Sequence, residues 1–129
     1  MDDAVDPVEE ITRFLRNSNH MRPASGRPHY SALMPKVQDG EVSVFRTAGM
    51  VEAEIVGLGA QYVGRPDLSL KGHCNLVAHD IFLEGLNVVR APIPHERHAN
   101  IIGWAADPQN RIIARKLADR ARLVIYQSQ

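Results

Sequence analysis

The sequence predicts an α+β fold: one small domain, a mixed sheet of about five to six strands, and two or three helices. Three observations predict it. The chain has 129 residues, enough for one core and too few for two. Two strand–helix–strand units can be read, over 42–83 and 99–126. Two Asp-Pro pairs, Asp6-Pro7 and Asp107-Pro108, each precede an apolar stripe at helical spacing. That order suits a split βαβ arrangement with the helices packed on one face, in a domain spanning 1–129.

Asp6 reads as an N-cap, Pro7 as the first helical residue and Glu9 as the capping-box carboxylate. Val8, Ile11 and Leu15 then follow i, i+3, i+7, so a helix is expected over 7–16. Periodicity stops from 17 to 35. That irregular segment holds Pro23, Pro28, Pro35 and Gly26, among Arg16, Arg22, Arg27, His20 and His29. A long irregular stretch inside a compact domain is uncommon and is often functional. Asp39-Gly40 favours a tight turn and predicts a hairpin joining a strand near 36–38 to Val42–Arg46.

Ile55 and Leu58 place a helix over about 51–58, with Gly59 as its stop. A loop is expected over 64–72 and a strand over 75–83, with Val77, His79, Ile81 and Leu83 on one face. Glu84-Gly85 turns the chain into a strand at Leu86–Val89. Pro92 and Pro94 then break it before His95-Glu96-Arg97-His98. Ala99–Trp104 reads as a buried strand. Ile113, Ala114, Leu117, Ala118 and Ala121 form the apolar stripe of a last helix, and Leu123–Tyr126 closes the sheet.

Charge is balanced, with 15 Lys+Arg against 15 Asp+Glu. Nucleic-acid-binding domains usually carry a basic excess, so such binding is not the expectation. If it occurs, Arg111, Arg115, Lys116 and Arg120 would carry it. The single Cys74 makes no internal disulfide, which fits a reducing compartment. No apolar run is long enough to span a bilayer, and Met1-Asp2-Asp3 lacks the positive start of a secretory signal. A cytoplasmic protein with no membrane partner is expected.

Six histidines raise the question of metal or acid–base chemistry. His95-x-x-His98 is half a metal site at most, since neither an HExxH helix nor paired Cys-x-x-Cys accompanies it. On one strand, His73 and His79 would stand roughly 20 Å apart, with Cys74 facing the other way. No metal and no cofactor is expected. Metal-free phosphodiester cleavage needs a base, an acid and a cation. His98 with His20 or His95, and Arg97, Arg46 or Arg27, are residues of those types. Gly-x-Ser-x-Gly and a dinucleotide fingerprint are missing, and with few aromatics no base-stacking platform is indicated.

The run Arg97-His98-Ala99-Asn100-Ile101-Ile102-Gly103-Trp104 resembles a block shared by a family of small uncharacterised bacterial proteins. Asn19-His20, Ser43-Val44-Phe45-Arg46 and Lys71-Gly72 are similar to the same pattern, so the resemblance covers about 13–124. It brings no activity with it. Where this chain has His73-Cys74-Asn75, those proteins carry an Arg-Ala-Asp type run, which argues against a zinc or thiol role here. The resemblance singles out His20, Arg46, Arg97, His98 and Asn100. The expectation is a binding or accessory module that acts through a protein partner or by self-association, with Val42–Arg46 or Leu123–Tyr126 as the pairing edge. The alternatives are a His-dependent, metal-independent phosphodiesterase or ribonuclease, and a small-ligand sensor built on 17–35.

Overall fold

The computed structural model describes residues 4–64 and 69–126. The acidic start at 1–3 and part of the loop expected over 64–72 lie outside the described residues. Eight strands and three helices follow in order. They are β1 (Glu10–Leu15), β2 (Met21–Arg22), β3 (Arg27–Pro28), β4 (Val42–Arg46), α1 (Glu52–Tyr62) and β5 (Gly72–Val77). After these come α2 (Ala78–Leu83), β6 (Asn87–Arg90), β7 (His98–Ile102), α3 (Gln109–Arg120) and β8 (Arg122–Ile125). Six strands form one sheet in the order β6-β7-β4-β1-β5-β8, and β2 and β3 pair apart from it. The class is α+β, as the sequence predicts.

The largest correction is at the start of the chain. The segment read as a helix over 7–16 is β1, a central strand. Its cap signals are used in a turn: Val8 N donates to Asp6 Oδ1 at 3.0 Å and Asp6 N to Glu9 Oε2 at 2.8 Å. Beyond that turn, burial on both faces overrides the helical spacing. Ile11 and Leu15 pack on one side, Thr12 and Phe14 on the other, all under 7% exposed.

This strand also explains why the sheet is antiparallel throughout rather than mixed. β4 and β5 run parallel, as the β4–α1–β5 unit demands, but β1 stands between them and pairs antiparallel with both. β7 and β8 likewise run parallel and are held apart by β4, β1 and β5. Nor are the helices confined to one face. α2 and α3 cover the face bearing Ile11, Val44, Leu76 and Ile101. α1 covers the other through Ile55 and Leu58, against Phe14 and Phe45.

Smaller differences have local causes. Asp39-Gly40 does make a tight turn, with Gly40 at φ +69°, but no strand forms at 36–38 because β4 takes both its partners from β1 and β7. Val42–Arg46 is therefore interior, and β6 and β8 are the edges. The strand expected over 75–83 divides at Val77. Its partner β1 ends there, at the Glu10↔Val77 pair, and Ala78 and Ile81 continue as the buried side of α2. His79 thus leaves the strand that carries His73. Gly59 does not stop α1. It lies mid-helix, where a Cβ would stand 2.4 Å from Phe14 Cε1.

One irregularity positions the site. β1 pairs with β5 along its whole length, but with β4 only at Ile11↔Arg46 and Thr12↔Phe45. Past Phe45 the ladder between β1 and β4 opens into a fork, while β4 keeps its pairing to β7.

Candidate functional site

Arg13 fills the fork. Its Nε donates to the Ala32 carbonyl at 3.1 Å and its Nη1 to the Ser43 carbonyl at 2.9 Å. The Ser43 bond spans the gap between β1 and β4, and the Ala32 bond ties the fork to the turn at Tyr30–Leu33. Nη2 makes no hydrogen bond among the described residues. Burial lowers the pKa of Arg13, and Arg16 nearby pushes the same way. A buried charge is ordinarily paired, because desolvation costs several kcal/mol. No carboxylate among the described residues lies within ion-pair reach of Arg13.

The open side of Arg13 looks into a cleft of about 450 Å³ lined by Arg16, Asn17, Ser18, His20 and Lys71, with Phe14 and Val63. A second cleft of about 320 Å³ shares Arg16 and Val63 with the first, and adds Ser43, Phe45, Tyr62, Pro94 and His98. Neither is lined by a described acidic residue. Arg16 and Lys71 also have no ion-pair partner among the described residues. Four carboxylates are paired elsewhere: Glu9 with Arg46, Glu84 with Lys116 and Arg120, Asp107 with Arg111, and Glu52 with His73 and Arg122. Among the described residues, three permanent cations therefore line this groove with no acidic side chain beside them. A cleft of one charge sign focuses its field on an incoming counter-ion.

Two of the five histidine, arginine and asparagine candidates reach this groove. His20 sits in a short 3₁₀ turn at Ser18–His20. Burial lowers its pKa, helped by Arg13 and His29, which favours the neutral ring. His98 stands on β7 in the adjoining cleft. Its Nδ1 bonds the Ala91 carbonyl at 2.8 Å and its Nε2 lies 2.5 Å from Ser43 Oγ. Arg46 and Arg97 are placed elsewhere. Arg46 grips Glu9 through two bonds of 2.9 and 2.8 Å, and Arg97 Nη1 donates to the Arg46 carbonyl at 3.0 Å. Both line a separate opening of about 290 Å³ with Glu9 and Glu96. Asn100, opposite Ser43 on β7, lines none of these openings.

Arg13, Arg16, Lys71 and Ser43 complete the groove and were not singled out as a group from sequence. The available signal was Arg13 itself, a charge within the otherwise strand-forming Ile11–Leu15 run.

The basic helix α3 is mostly self-satisfied. Arg111, Lys116 and Arg120 pair with carboxylates, and Arg115 lies 4.7 Å over the Tyr30 ring. His73 and Cys74 face opposite sides of β5. His73 is fully buried, with Nδ1 2.6 Å from Tyr126 Oη and Nε2 2.6 Å from Glu52 Oε1. Burial pushes the Cys74 thiol up to about 12, so it is an inert core group. Among the described residues, no three His, Cys, Asp or Glu side chains are grouped to hold a metal. None of the helices there is long and apolar enough to cross a membrane.

Compared with known proteins, the chain matches no family model, no curated protein and no solved structure.

Proposed function

We propose that this domain binds a small phosphate-bearing ligand in the groove over the fork. The observation that carries the reading is the buried Arg13 guanidinium, which has no carboxylate partner among the described residues and keeps Nη2 without a hydrogen bond there. Arginine offers planar donors that match phosphate oxygens, and charge-assisted bonds of this kind are about twice as strong as neutral ones. Arg16 and Lys71 add charge at the rim, and His20 and Ser18 add uncharged polar groups. The small-ligand alternative predicted for 17–35 is in keeping with this, since that segment supplies Asn17, Ser18 and His20. Thermal unfolding with inorganic pyrophosphate, against chloride at equal ionic strength, tests it. A rise in Tm with pyrophosphate alone is expected; equal curves in the two salts overturn it.

A second reading, self-association or a protein partner, is favoured by β8. It is a true sheet edge, with Ile125 45% exposed, and unpaired edges invite strand addition. Among the described residues its outer side carries one backbone bond, from Leu123 N to the Gly26 carbonyl at 3.0 Å. Light scattering across a concentration series decides it: a concentration-dependent dimer supports the reading, and a monomer throughout removes self-association.

A further inference from the structure

The Ser43–His98 pair is a side-chain contact in the adjoining cleft that the anion site does not need. We infer that Ser43 is a nucleophile activated by His98, and that the domain hydrolyses a carboxylic ester carried on the phosphate-bearing ligand. The substrate class rests on the anion-site reading; the nucleophile rests on its own geometry.

That geometry begins with the ring of His98. A backbone carbonyl can only accept, so the 2.8 Å bond to Ala91 fixes the proton of the neutral imidazole on Nδ1. Nε2 is then a bare lone pair, and the hydroxyl 2.5 Å away donates to it. Phe45, with its ring centroid 5.2 Å from that of His98 and set edge-on, holds the imidazole from the side. The arrangement supplies a hydroxyl, a base aligned on its proton, and a carbonyl that orients the base, which is the logic of an activated nucleophile. Ser43 and His98 both line the cleft, beside Arg16. The Ser43 carbonyl is also the acceptor of Arg13 Nη1, so the buried cation of the anion site and the backbone of the nucleophile are bonded directly.

The chemistry balances within these residues plus water. Ser43 Oγ attacks the ester carbonyl carbon as its proton passes to His98 Nε2. The new oxyanion is countered by Arg16, the permanent cation lining this cleft. Collapse breaks the bond from the carbonyl carbon to the leaving oxygen, which takes the proton from Nε2 and departs as an alcohol. Water, deprotonated by Nε2, then attacks the acyl carbon. Ser43 Oγ leaves and takes that proton back, releasing the acid.

An alkyl fluorophosphonate probe tests the nucleophile without knowledge of the natural ester. Ser43 Oγ bonds phosphorus, fluoride leaves, and His98 takes the proton. One adduct is expected, mapped to Ser43 by mass spectrometry, forming at least about 100-fold more slowly in His98→Gln. No adduct on folded protein, or an equal rate in His98→Gln, overturns the inference. Because Ser43→Ala removes a buried-edge hydrogen bond, Ser43→Cys provides a second readout. Its thiol is expected to alkylate faster than a free cysteine and to lose that advantage when His98→Gln is added, with buried Cys74 silent. Equal rates in the two backgrounds overturn it. Inorganic pyrophosphate is expected to slow labelling. Labelling of Ser43 at an unchanged rate under pyrophosphate overturns the phosphate-bearing substrate while leaving the nucleophile in place.

Discussion

Replacing Arg13 with Met separates what this residue does for the fold from what it does for a ligand. In the free protein two effects oppose. The variant loses two charge-assisted bonds, to the Ala32 and Ser43 carbonyls, worth roughly 1.5–3 kcal/mol each. It also relieves a buried charge whose desolvation costs several kcal/mol. The terms largely cancel, and the free variant is expected within about 2 kcal/mol of the parent. Ligand binding has no such compensation. A guanidinium about 4 Å from a phosphate oxygen is worth up to about 4 kcal/mol at the dielectric of a protein surface, and exchange with water leaves about 2–4 kcal/mol. Kd for pyrophosphate should rise roughly 30- to 800-fold. The assay is thermal unfolding. At 100 times Kd a ligand adds about 2.7 kcal/mol. For 129 residues, an unfolding entropy of roughly 270 cal/mol/K turns this into about 10 °C. Arg13→Met at the same pyrophosphate concentration should shift by about 3 °C at most. An undiminished shift in the variant would refute the claim that Arg13 is the seat of the site.

Three further outcomes follow from the packing and the titrating groups. Gly59→Ala should lower the urea midpoint by about 1–2 kcal/mol of stability, because overpacking outweighs the roughly 1 kcal/mol helix gain; Phe14 cannot retreat from the new methyl, being held edge-on by Phe45 and His73, and a raised midpoint contradicts this. The Arg46 hydrogen bond holds the Glu9 carboxyl below its ordinary 4.5, so this pair contributes stability above that pH and loses it as pH falls through the lowered value. Arg46→Met should therefore flatten the acid limb of a Tm–pH curve, and an unchanged limb counts against the pair. Burial lowers the pKa of His73 from 6.5 against the opposing pull of Glu52, so its neutral form stabilises the fold fully above about pH 6.5 and progressively less below it. Wild type should lose Tm relative to His73→Phe as pH drops from 7.5 to 5, and parallel curves would show that His73 does not titrate against folding.

Legibility in the sequence followed how local each determinant is. α1 and α3 were readable because Ile55 and Leu58, and Ala114, Leu117 and Ala118, bury at helical spacing within one segment. β7 was readable for the same reason at strand spacing. β1 was not, because nothing between Asp6 and Leu15 reveals that two strands from later in the chain will cover both its edges. Its cap residues are real but close a turn. The split of 75–83 at Val77 is the same kind of failure, since a strand ends where its partner ends and the partner is β1. His98 and His20 were nameable as residue types suited to proton transfer. Their companions were not, because Arg13 declares itself only once β1 and β4 part, and Ser43 only once β4 lies beside β7.

Neutral composition argued against a polyanion partner, and the structure shows why that inference is weak at the scale of a site. Net charge counts every group equally, but a ligand in a groove feels mainly those within a Debye length, about 8 Å at physiological ionic strength. In this fold Glu9, Glu52 and Glu84 are each held by a basic partner, and none lines the groove. Glu9 lies at the start of β1, Glu84 past α2, and Glu52 at the start of α1 against His73. Arg13, Arg16 and Lys71 come from the far end of β1 and the residue preceding β5, which the register brings together at Leu15↔Gly72. The Leu15 carbonyl accepts from Lys71 N at 2.8 Å, so these two cation-bearing segments are joined through the backbone. Moving the charge on β1 by one residue, with Thr12 and Arg13 exchanged, would turn the guanidinium to the opposite face. The groove would lose its buried cation while composition and net charge stayed the same.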